Sequence, residues 1–113
     1  MLQEESLAHH GGASGLRDEG LLESALDRPR NLFAYGTPTL YALAASYAFG
    51  LARNHPFVDG NKRTAFLVAV AVLEINGKRF FASEADAAVR TLALAAGNLS
   101  EAAYAEWMKE NAR

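Results

Sequence analysis

From Asn61 to Ile75 the chain reads NKRTAFLVAVAVLEI, apolar on nearly every side beyond its first turn, with Asn76-Gly77 to end it as a helix. A helix apolar all round is normally buried on all sides. That one segment asks for a helical domain in which other amphipathic helices surround it.

The remaining punctuation supplies such helices. Asp18 is a good N-cap for a helix from about Glu19 to Asp27, with Leu22, Ala25 and Leu26 on one face and Pro29 as its end. Asn31 to Tyr35 reads as a short, partly aromatic extended piece closed by Gly36. Thr37-Pro38 is a helix start, and Leu40, Leu43, Ala44, Tyr47 and Leu51 form an apolar stripe from about Pro38 to Arg53. Lys78 to Ala82 reads as a short strand. Ser83 caps a helix from about Glu84 to Ala96, with Asp86 in a capping-box position and Gly97 as the stop. Ser100 caps the last helix, and Leu99 and Tyr104 have hydrophobic-staple spacing. The expected fold is all-α: about five helices with a short flap or hairpin.

Length and charge bound the function. The 113 residues support one domain, 1–113, with no room for a second core. A hydrophobic share of 50% with 21% charged residues is globular, and a net charge of -2 supplies no general basic field for nucleic acid. Without cysteine there is neither a disulfide framework nor a thiol nucleophile. Met1 to His10 lacks the basic start and apolar run of a signal peptide, and Ala65 to Leu73 is half the length of a membrane span. A cytoplasmic protein is expected.

The chemistry concentrates in His55-Pro56-Phe57-Val58-Asp59-Gly60-Asn61-Lys62-Arg63-Thr64. Cations normally sit at a helix C-terminus; Lys62 and Arg63 stand at an N-terminus, where the dipole is already positive. This destabilises the helix unless an anion neutralises it. Gly60 leaves the approach uncrowded, so a phosphate can reach the amides of Asn61, Lys62 and Arg63. His55 is suited to accept a proton near neutral pH. Asp59 can hold Mg²⁺, which takes one or two carboxylates together with phosphate oxygens. Phe57 is expected to anchor the loop in the core. Singly, each residue has an ordinary explanation: a histidine as cap, a solvated Lys-Arg pair, Asp-Gly-Asn as a turn. Together, within nine residues, they read as a site.

The stretch from His55 to Arg63 resembles the signature of the Fic superfamily, and Lys62, where most members that transfer AMP carry glycine, resembles its Doc (death-on-curing) branch. Phe66 stands where those members carry a second arginine. Gly11-Gly12, Gly15-Leu16-Arg17-Asp18, Leu21-Leu22-Glu23-Ser24-Ala25, Pro29, Asn76-Gly77 and Ala96-Gly97 are similar to the Doc pattern as well. The resemblance implies a helical Fic fold, His55 as general base, Asp59 as metal and catalytic carboxylate, and Asn61, Lys62 and Arg63 on the phosphates of ATP beside Gly60, with Arg63 also serving catalysis. It implies a toxin of a toxin–antitoxin pair that moves the γ-phosphate of ATP to a protein hydroxyl, a threonine of elongation factor Tu in that branch, with Mg²⁺ as cofactor and a cognate antitoxin as partner. AMP transfer and a catalytically silent binding module are the alternatives. A P-loop is remote, since the lysine is not followed directly by a hydroxyl residue.

Around the motif, Asn31 to Tyr35 falls where the family carries a target-pairing flap, a plain core connection being the equal alternative. Arg17 either reaches the site or caps a neighbouring loop, and the structural role is favoured. His9 and His10 read as surface residues. The self-inhibitory serine–glutamate pattern of the superfamily is not matched between Ser14 and Gly20, where Glu19 falls one place late.

Overall fold

The computed structural model describes residues 15–113, which form five helices: α1 (Glu19–Tyr35), α2 (Leu40–Asn54), α3 (Asn61–Ile75), α4 (Glu84–Ala96) and α5 (Glu101–Glu110). The expected all-α class holds. The N-terminal features singled out above, Gly11 to Ser14, His9 and His10, lie outside the described residues.

The hub of the bundle is α2, which packs against each of the other four helices. Its buried residues are Ala44, Ala45, Ser46, Ala48, Gly50, Leu51 and Ala52. Their small side chains are the reason for its place, because neighbours can approach it closely on every side. At Gly50 this reaches its limit: an added Cβ would lie 2.7 Å from the Ala25 carbonyl oxygen of α1. The central position expected for Asn61 to Ile75 is thereby corrected. α3 buries one line of residues, Asn61, Ala65, Ala69 and Leu73, and leaves Leu67 50% and Ile75 82% exposed. Small residues on every side mark the helix that sits inside.

Helix α1 continues through Pro29 to Tyr35, so the proline does not end it and Asn31 to Tyr35 is helix rather than an extended flap. A proline inside a helix costs about 3 kcal/mol through the missing N–H and ring clash. Here it is fully buried, in line with Leu22 and Ala25 on the face α1 presents to α2, and that burial offsets the lost backbone bond. The next start also moves. Two capping threonines stand two residues apart, and it is Thr39 whose Oγ1 accepts from Ala42 N at 3.0 Å, so α2 begins at Leu40.

Lys78 to Ala82, expected as a short strand, forms an isolated bridge instead, and its partner is the C-terminus. Arg79 N donates to Arg113 O at 3.0 Å and Arg113 N returns to Arg79 O at 2.9 Å, around an antiparallel bridge between Phe80 and Ala112. This pairing seats Phe80 between Phe66 of α3 and Trp107 of α5, with ring centroids 5.7 and 5.3 Å away. The aromatic cluster ties the far half of the bundle to α3, whose first turn carries the motif.

Candidate active site at the mouth of α3

The His55–Gly60 loop connects the end of the hub helix to the start of α3. His55 is the C-cap of α2 and sits in the left-handed region at φ 52°, the one non-glycine residue with positive φ among those described. That conformation costs an L-residue about 1–2 kcal/mol. It also turns the chain sharply out of α2, so that Pro56 is buried while His55 stays exposed.

Two sets of bonds fix the loop. From one side comes Gly15 to Asp18: Arg17 N and Asp18 N both donate to Pro56 O, at 2.7 and 3.0 Å, and Val58 N donates to Gly15 O at 3.0 Å. The Arg17 guanidinium adds to this, Nε donating to His55 O at 3.0 Å and Nη2 to the same oxygen at 2.5 Å, with Asn54 O at 3.4 Å from Nη2. Arg17 thus takes the structural position, closing the C-terminus of α2 where a cation also suits the helix dipole. From the other side, Asn61 spans the loop: its Oδ1 accepts from Phe57 N and its Nδ2 donates to Phe57 O, both at 2.9 Å. Asn61 is 9% exposed and its side chain is committed to the loop, so what it turns toward the mouth is its backbone amide. Phe57 packs against the core as expected.

The mouth itself is open. Gly60 begins α3 at φ 71° with no side-chain cap, and an added Cβ there would meet nothing within 4 Å. The first intrahelical bond runs from Thr64 N to Gly60 O at 2.9 Å, and the amides of Asn61, Lys62 and Arg63 have no acceptor among the described residues. Lys62 and Arg63 are exposed and take part in none of the ion pairs among those residues. Among the described residues, three free amides and two unneutralised cations at one helix end are donors without an anion. Asp59, also exposed, receives Gly60 N on Oδ1 at 2.8 Å, which leaves its second oxygen for a cation. No group of three or more metal-ligating side chains exists among the described residues, so a divalent ion here depends on phosphate oxygens and water for most of its shell. The donor set therefore fits Mg²⁺ only in company with a nucleotide.

Alongside Lys62 and Arg63 an apolar groove of about 480 Å³ runs between α3 and α4, lined by Phe66, Leu67, Ala87, Thr91 and Leu92. Phe66 has its place in the aromatic cluster. Arg17 takes the structural role favoured from the sequence, whereas the bidentate lock by Asn61 escaped that reading. An asparagine four residues after a loop phenylalanine, at the first position of a helix, was the only available signal for that lock.

The bundle thus presents a histidine loop beside an open, cation-rich helix mouth. The family model described as Fic/DOC family matches residues 1–73, and the chain belongs to that family. Its relatives place it on the Doc side. It is 33% identical over 109 residues to the protein named Protein kinase doc of Escherichia phage P1, covering 96% of this chain and 86% of that one. It is 49% identical over 70 residues to Toxin Doc of Mycolicibacterium smegmatis, which takes in 59% of this chain and about half, 53%, of that protein's length. Among the described residues no helix is long and apolar enough to cross a membrane.

Proposed function

We propose that this chain is a Doc-type toxin that transfers the γ-phosphate of ATP to a protein hydroxyl, within a single domain spanning residues 1–113. The observation that carries the reading is the mouth of α3, where three amides, Lys62 and Arg63 have no partner among the described residues, one loop away from the exposed His55. Kinase activity enters through the name of the phage relative, and the toxin role through the name of the mycobacterial one.

In this reading the amides of Asn61, Lys62 and Arg63 and the two cationic side chains hold the phosphates in line with the incoming hydroxyl. His55 takes the hydroxyl proton on its imidazole nitrogen as the oxygen bonds to the γ-phosphorus and the bond to ADP breaks. Asp59 offers its free oxygen to Mg²⁺, which supplies charge neutralisation on the phosphates when bound. Arg63 faces the same developing charge. Lys62 favours phosphoryl over AMP transfer, since its side chain and charge fill space that glycine would leave for phosphate. The target is expected to be a threonine of elongation factor Tu, with arrest of translation in the cytoplasm, and a cognate antitoxin is the expected partner.

Incubation with cell extract and ATP labelled at either end tests this. Label passing to protein from the γ-position supports it, whereas label passing only from the α-position turns the reading to AMP transfer. No transfer from either leaves the silent binding module.

A further inference from the structure

Resting on the reading of His55 as the base, we infer that Arg17 is the positioning residue that aims it. A catalytic base is usually oriented by a third group bonded to its other nitrogen. Among the described residues the His55 ring has no such bond, so its direction must come from the backbone that carries it.

That backbone is in its costly conformation, φ 52° and ψ 55°, and an unheld loop would relax from it. What opposes relaxation directly at His55 is its carbonyl group. The oxygen receives both Nε and Nη2 of Arg17, at 3.0 and 2.5 Å, while Nη2 also reaches Asn54 O. The peptide plane after His55 therefore cannot rotate without breaking a forked, charge-assisted bond. The neighbouring bonds secure other planes: Pro56 O is held by the amides of Arg17 and Asp18, Phe57 by Asn61. Among the described residues, only the guanidinium acts on the plane that sets ψ of the histidine itself. Lysine could keep the charge there but could not fork onto one oxygen from two nitrogens.

The test is the Arg17→Ala and Arg17→Lys pair, read by NMR of the His55 ring and of the Asn54–Val58 amides, then by transfer kinetics well below the melting temperature. Arg17→Ala is expected to shift the His55 ring resonances and to lower kcat by roughly 10- to 10²-fold, in the range for a misplaced catalytic group, with KM for ATP within about twofold. Arg17→Lys should recover part of both effects. Millimolar methylguanidinium should restore turnover to Arg17→Ala and leave the unsubstituted protein unchanged, a response that general loss of stability would not give. Should Arg17→Ala not fold, Arg17→Lys carries the same measurements. An unshifted His55 spectrum overturns the inference, as does a kcat loss that methylguanidinium cannot rescue. If the unsubstituted protein transfers nothing, the functional reading fails, and the NMR arm still decides whether Arg17 sets the histidine.

Discussion

Helices α3 and α4 both begin after short connecting segments, and their first turns are opposites. At α4, Ser83 Oγ accepts from Asp86 N at 3.1 Å, Glu84 and Asp86 place negative charge against the dipole, and Asp86 is bonded to Trp107 Nε1 at 2.8 Å and Arg90 Nε at 3.3 Å. At α3 the cap is a glycine without a side-chain bond, the first turn has no acid, and Lys62 and Arg63 sit where the dipole repels them. The caps of α1, α2 and α5, namely Asp18, Thr39 and Ser100, follow the α4 rule. One helix start in five thus departs from the local chemistry of stability. Such departures concentrate where a ligand is meant to complete the structure.

The largest effect is expected where chemistry, and not binding, depends on the α3 mouth. His55→Ala should lower γ-phosphate transfer by about 10²–10⁴-fold, the usual worth of a general base, and abolish toxicity on expression. Because the ring makes no hydrogen bond among the described residues and is exposed, thermal stability should hardly fall. Undiminished transfer by the alanine protein would leave the mouth without a catalytic role.

A sharper break makes α3 resemble α4. Lys62→Glu introduces an acid into the first turn and removes a cation, and each change suits the dipole by about 0.3–1 kcal/mol. The melting temperature should therefore rise by about 2–8 °C, given the usual shift per kcal/mol in a domain of this size. Binding of ATP should weaken at the same time by at least about fivefold, since one surface charge pair is worth roughly 1–4 kcal/mol. Opposite signs in the two measurements are what the comparison requires. A substitution that weakened both would show the lysine to be part of the scaffold.

Much of this contrast was legible in the order of residues, because capping is local. Asp18, Ser83, Ser100 and Gly97 act where their neighbours predict. So does the cation pair after Gly60, which conflicts with its own helix and needs no tertiary information to be noticed. What could not be read depended on packing between distant segments. Pro29 stops an isolated helix, and its burial on the face toward α2, where Ala25 approaches Gly50 closely, offsets the cost of continuing to Tyr35. The hub role went to α2 through side-chain volume, a property that hydrophobic periodicity does not weigh. At Asn61 the sequence pointed to the backbone amide, while the span of its side-chain amide to Phe57 needed the folded loop to be seen. Asp86 looked like half of a capping box, yet its carboxylate turns to Trp107 of α5.

That last contact gives the smallest and most specific test. The indole N–H of Trp107, and after it Arg90, hold the Asp86 carboxyl below its ordinary 3.8. A carboxyl whose folded pKa is depressed adds stability in full above its unfolded value, and the contribution drains away as pH falls through the folded value. Thermal unfolding followed from pH 6 down to about 3 should therefore show a part of the acid-side decline that belongs to this site. Trp107→Phe removes the largest cause of the shift. It also costs packing, since Trp107 touches Phe66, Phe80 and Tyr104, but that cost does not vary with pH. The gap in melting temperature between the two proteins should accordingly narrow as pH drops below about 4, as the carboxyl protonates in both. Parallel curves across the range would mean that the charge of Asp86 adds nothing through the indole, and that the start of α4 is held by its serine cap and by packing alone.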